Sequence, residues 1–235
     1  MRKALIAVFV LLATALVWAQ GPHTDLKPSD NPDVQTAPVI TFTQNWPQAL
    51  PPFYSIAVTS AGDAAYQSTP QADNKGDPYI VKFVMSEQNR TKLFDLAKDL
   101  DYFKGDFAYN KGRLAFTGTK TITFKNGGEQ NRTSFVWSTN PEMQEVAKLF
   151  QGISETIERG RTLGEKYRYD KLGVDAELKS MESAAKDGRL EEIQAIQPLL
   201  AKIAKDSSMM NITRRRAEYL LSKIAPGQSA NAGQH

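Results

Sequence analysis

Four aspartates, Asp95, Asp99, Asp101 and Asp106, lie close together in the chain, and paired carboxylates are the groups that act as acid and base in glycoside hydrolysis. Asp95 and Asp99 stand four apart around Lys98, as on one exposed helical face, so a solvated surface is the favoured reading. A calcium loop opening at Asp99 fails, because Phe103 and Lys104 stand where a ligand and an obligatory glycine belong. Tyr102, Phe103, Phe107 and Tyr109 interleave with the aspartates. Such aromatics can floor a sugar or peptide site, but more often they fill a core where a helix turns back into a sheet, with tyrosine hydroxyls at the wet edge. Arg214, Arg215 and Arg216 invite a reading as a phosphate or acidic-lipid patch. Consecutive helical residues diverge by about 100°, so a solvated face with Arg214 paired to Glu218 is favoured.

Other chemistries are excluded by composition. The chain has no cysteine, which removes disulfides, thiolate metal sites, catalytic thiols and lipoprotein acylation. Its two histidines are His23, in a polar leader, and His235, the last residue, which argues against a Ser-His-Asp triad, a histidine base or a His-rich zinc site. No glycine-rich phosphate loop, dinucleotide fingerprint or metal-ligand spacing occurs, so no catalytic, cofactor-binding or metal-binding residue is assigned and no cofactor is expected. Asn-x-Ser/Thr triplets at Asn89, Asn131 and Asn211 are glycosylation candidates only along a eukaryotic secretory route.

The elements that would position any site follow from the pattern along the chain. Arg2 and Lys3 precede an apolar run from Ala4 to Trp18, and Val17-Trp18-Ala19 offers small residues for a signal peptidase. The run is shorter than the roughly 20 residues a spanning helix needs, so residues 1–19 read as a cleaved signal peptide, with Gln20 as the mature N-terminus and no transmembrane segment after it. Losing Arg2 and Lys3 takes the formal net charge from +3 to +1. No basic excess of the kind that binds nucleic acid remains.

With 235 residues, one domain or two small ones are expected. Residues 20–51, rich in proline, read as a leader or linker with one short extended piece at Val39–Phe42. Residues 52–160 read as an α+β domain in two βββα units. The first has strands around Tyr54–Val58, Ala64–Ser68 and Tyr79–Met85, then a helix capped by Ser86. The second has strands at Leu114–Phe116, around Ile122–Phe124 and at Thr133–Trp137, a turn at Asn126-Gly127, and a helix opened by Asn140-Pro141-Glu142. Met143, Val146, Ala147, Phe150, Ile153 and Ile157 share one face of that helix and should pack on the sheet.

Residues 161–225 read as a helical region with three apolar stripes. These are Val174, Leu178, Met181 and Ala185, ended by Asp187-Gly188; Leu190, Ile193, Ile196, Leu200 and Ile203, kinked or broken at Pro198; and Met210, Thr213, Ala217, Leu220 and Ile224. Residues 226–235 read as a disordered tail. The fold class is thus α+β, a mostly antiparallel sheet with two packed helices followed by a small helical region.

The segments Asp101–Tyr109, Ala115–Gly118, Phe135–Pro141, Leu149–Ser154 and Tyr169–Gly173 resemble a family of uncharacterised exported bacterial proteins. The resemblance spans roughly Tyr54 to Leu221. It implies a bacterial source and a periplasmic or secreted location, and it carries no activity or site residues, its aromatics and glycines looking like packing positions. The favoured function is an exported, non-catalytic binding or interaction module of the bacterial envelope, with the C-terminal helices offered to an envelope protein partner. The alternative is a hydrolase working through Asp, Glu or Tyr without histidine or cysteine.

Overall fold

The computed structural model describes residues 37–69 and 77–224. The signal peptide, most of the leader, the tail, His23 and His235 lie outside them. Six strands form one antiparallel sheet: β1 Val39–Asn45, β2 Phe53–Thr59, β3 Asp63–Ser68, β4 Tyr79–Val84, β5 Thr119–Asn126 and β6 Glu129–Phe135, in the order β4-β3-β2-β1-β5-β6. Helix α1, Glu87–Asp99, follows β4, and α2, Pro141–Tyr169, follows β6; α3 Gly173–Lys186, α4 Gln197–Lys205 and α5 Asn211–Leu221 complete the described chain. Among the described residues no helix is long and apolar enough to cross a membrane.

The α+β class holds, and the three strands and helix of the first βββα unit are present as β2, β3, β4 and α1, but a further strand precedes them and the second unit has two strands, not three. Val39–Asn45, expected within the linker, is a central strand, paired along its length with β2 on one side and β5 on the other. Its Ile40, Phe42 and Gln44 alternate inward and are buried. Since β1 and β6 occupy both flanks of β5, no place beside it remains for a strand at Leu114–Phe116, and that stretch is exposed loop. The hairpin turn also shifts by one residue. Asn126 pairs with Glu129, and Gly127-Gly128 are the central pair, with Gly127 at φ 56°.

Both helix starts are as the sequence dictates. The Ser86 hydroxyl accepts the Asn89 N–H at 3.2 Å, and the Asn140 side chain accepts the Met143 N–H at 2.7 Å. Each satisfies an N–H that the first turn leaves without a partner. Leu93 and Ala97 of α1 and the expected face of α2, Met143 to Ile157, close one side of the sheet. Phe42 stacks on Phe150 with ring centroids 4.9 Å apart.

A second core, from Leu163 to Leu220, lies among α2, α3, α4 and α5. The boundary expected at 160/161 falls inside α2, which runs on without a break. Gly188, at φ 64°, ends α3 as expected. The helical run from Ile193 is broken beside Pro198 as expected, a 3-10 turn at Ile193–Ile196 giving way to α4, and Pro198 fits the first turn of α4, which does not use its missing N–H. Met210 is 53% exposed and Met209 is buried in its stead, because Met210 is the extended residue that precedes α5 and helical spacing starts only after it.

The segment Arg189–Ile196 crosses α2 closely enough that a Cβ on Gly152 would lie 2.6 Å from the Glu191 side chain. Glu192, in the left-handed region at φ 56°, then sends its buried carboxylate to the start of α1. It accepts the Ser86 N–H at 2.8 Å, the Ser86 hydroxyl at 2.7 Å and the Asn89 amide at 2.7 Å. Gln194 also donates to Glu192 and, at 3.3 Å, to the Val84 carbonyl. This segment fastens the helical region to the sheet.

Candidate functional site

The loop between α1 and β5 borders a recess beside the sheet. It opens with Asp101, Tyr102 and Phe103 all in the left-handed region, at φ 47°, 53° and 65°, a conformation that costs L-residues roughly 1–2 kcal/mol each. Packing holds it: Phe103 is fully buried, and Tyr102 lies over Phe124 with centroids 4.7 Å apart. The aromatic cluster is therefore mostly core, since Phe107 also packs inward. Tyr109 stays at the rim.

Asp106 shapes the next turn by accepting the Ala108 N–H at 2.9 Å and the Asn110 amide at 3.2 Å, and the Tyr109 N–H then reaches the Trp137 carbonyl at 2.9 Å. Lys104 and Glu129 pair at 3.1 Å across the loop base, both largely exposed. The loop re-enters the sheet through Gly118 at φ 86°, where a Cβ would sit 2.6 Å from that of Trp46.

Between this loop and the ends of β5 and β6 lies an open cleft of about 390 Å³, lined by Tyr109, Asn110, Leu114, Phe116, Thr119 and Ser134 among others. Leu114 and Phe116 are 42% and 52% exposed. The lining offers apolar faces with amide and hydroxyl groups, the usual make-up of a small-ligand recess, and holds no carboxylate, lysine, arginine or histidine. Lys120 lies near but turns its ammonium to the Val136 carbonyl at 3.0 Å, and burial pushes its pKa down.

The four aspartates do not converge. Asp95 and Asp99 border a shallow groove with Glu87, Lys92 and Glu145, in which Lys92 pairs with Glu145 at 3.0 Å, while Asp106 is spent on its own loop. Among the described residues no cluster of acids or histidines is arranged to hold a metal ion. The three arginines diverge: Arg214 turns to Asn211 instead of Glu218, Arg215 is exposed, and Arg216 binds Asp175 at 3.2 Å and Glu182 at 2.6 Å.

One polar cluster escaped the sequence reading because its members lie far apart in the chain. Glu158 of α2 accepts the Tyr66 hydroxyl at 2.7 Å and the Ser68 hydroxyl at 2.6 Å, and pairs with Arg161 at 3.1 Å. Burial, and then the Glu158 charge, push the Tyr66 pKa upward. A serine and a carboxylate in contact resemble a nucleophile and its base, but Ser68 is fully buried. A hydroxyl with no access to solvent cannot attack a substrate, so the cluster ties α2 to β3.

The α5 stripe packs within the chain: Thr213, Ala217 and Leu220 face the second core. Compared with models of known protein families and with curated proteins, the chain matches none.

Proposed function

We propose that the protein is an exported, non-catalytic binding module of the bacterial envelope, and that the cleft beside β6 holds an uncharged, partly apolar ligand. The observation that carries this reading is the lining of the cleft: Tyr109, Leu114 and Phe116 offer apolar surface, Asn110, Thr119 and Ser134 offer hydrogen bonds, and nothing there can transfer a proton as carboxylates or histidine would. The N-terminal pattern of charge, apolar run and small residues supports export.

A photoreactive phenylalanine analogue at position 116, irradiated in native envelope fractions, should give a discrete adduct, and Leu114→Asp in the same chain should abolish it without lowering the melting temperature. No adduct, or one indifferent to Leu114→Asp, overturns the reading. Export is checked separately by N-terminal sequencing of the recovered protein, which should begin at Gln20.

A further inference from the structure

The exposed large apolar side chains of the helical region gather at one end. Tyr169 and Leu172, 84% and 85% exposed, stand at the turn between α2 and α3, and Met210 and Ile212, 53% and 49% exposed, at the start of α5. The two turns are side by side. Lys171 reaches Ser208 at 2.9 Å, the Tyr167 hydroxyl reaches Asp206 at 2.8 Å, and the Thr213 hydroxyl reaches Asp175 at 3.1 Å.

The same end concentrates positive charge. Residues 168–172 and 205–215 hold five lysines and arginines against two aspartates. Both aspartates are engaged within the chain: Asp206 accepts the Ser208 N–H as well as the Tyr167 hydroxyl and lies 3.9 Å from Lys171, and the exposed Asp170 accepts the Gly173 N–H. Asp175 of α3 is held by Arg216. Arg168, Lys205 and Arg215 are exposed, and none of them has an ion pair among the described residues.

We infer that this end of the helical region docks on an anionic lipid bilayer, with Tyr169, Leu172, Met210 and Ile212 entering the interface and Arg168, Lys205 and Arg215 meeting the headgroups. The side chains protrude singly from two adjoining turns instead of lining a groove, so they suit a soft interfacial layer better than a moulded protein surface. Long basic side chains can keep their charge among headgroups while their stems lie along apolar surface. An anionic surface attracts such cations over about a Debye length. Tyrosine, apolar in body and polar at its tip, favours the same interface. The surface uses none of the cleft residues, so the two proposals stand or fall separately.

The purified chain is sedimented with vesicles of phosphatidylcholine alone and of equimolar phosphatidylcholine and phosphatidylglycerol. Binding to the anionic vesicles and not the neutral ones is expected, weakening as salt rises. Tyr169→Ser with Leu172→Asp, and separately Arg168→Glu with Lys205→Glu and Arg215→Glu, should each weaken it by about tenfold or more while the melting temperature holds. Lys82→Glu with Lys98→Glu and Lys125→Glu, all exposed on the sheet and α1 and equal in charge change to the triple variant, should have little effect. No binding, equal binding to both vesicles, binding that survives both variants, or capture of a protein by this end without vesicle binding would each overturn the inference.

Discussion

The core under the sheet draws Phe42, Tyr66, Ile122 and Phe150 from distant stretches of the chain, whereas the helical core takes its side chains in sequence from Leu163 to Leu220. Their polar boundaries differ as well. Between sheet and α2, the buried Tyr66 and Ser68 hydroxyls donate to the partly exposed Glu158. Around the helical core, Arg159 and Lys166 share Glu177, and Arg216 bridges Asp175 and Glu182, all with partial exposure. Exposed pairs of this kind contribute little singly, about 0–1 kcal/mol. The sheet core therefore depends on long-range assembly, and the helical core on the local stripes of its helices.

The largest effects should come from breaking each core at its centre. Leu220→Asp places a charge in a fully buried site and should cost more than about 4 kcal/mol. Phe42→Ala removes the ring stacked on Phe150 and should cost about 3–5 kcal/mol. Calorimetry tests whether the cores are coupled. If they unfold as one unit, each substitution moves a single transition; if Leu220→Asp leaves a sheet transition at its original temperature, the comparison sharpens into two independent units.

What was legible in the sequence follows the same division. Ser86 and Asn140 announce their helices, and Val174, Leu178, Met181, Ala217 and Leu220 lie where their spacing puts them, because caps and helical stripes are written within a few residues. Strand β1 was not legible as central. Three inward residues between Pro38 and Pro47 carry little local signal, and its place depends on β2 and β5, which the chain supplies later. The cleft was half legible: Tyr109 drew attention, but Leu114 and Phe116 alternate like a strand, and only the full occupancy of both flanks of β5 leaves them in a loop. The Glu158 cluster joins residues 66, 68 and 158 and gave no local sign.

A smaller effect is expected at the strap between the cores. Glu192→Ala deletes the acceptor for Ser86 and Asn89 at the start of α1 and should cost about 1.5–3 kcal/mol. Glu192→Gly should cost less than Glu192→Ala, since glycine adopts the left-handed backbone of that position without strain. If the strap couples the cores, Glu192→Ala should also separate their unfolding transitions. Equal losses for alanine and glycine would show that the backbone at this position contributes nothing.

The smallest effects are the pH dependences, an alkaline limb from buried tyrosines of the sheet core and an acid limb from an aspartate at the rim of the helical core. Tyr54 and Tyr66 have pKa values raised by burial, so the folded chain keeps protons that the unfolded chain releases above about pH 10. Their contribution to the sheet core is complete below that pH and is lost as pH rises further. Asp206, at the rim of the helical core, is depressed to about 2 by the hydroxyl and N–H of Ser208 and by the Tyr167 hydroxyl, from an ordinary 3.8. Its contribution is complete above the ordinary value and lost as pH falls through about 2. Asp206→Asn should therefore flatten the melting-temperature profile between about pH 4 and 2 and, because the Asp206 carboxylate also holds the Tyr167 pKa up, alter the alkaline limb slightly, whereas Tyr66→Phe should shift the alkaline limb alone to higher pH. An acid limb unchanged by Asp206→Asn would show that acid stability is set elsewhere, as at Glu182, which its hydrogen bonds to Lys186 and Arg216 hold below the usual carboxylate range.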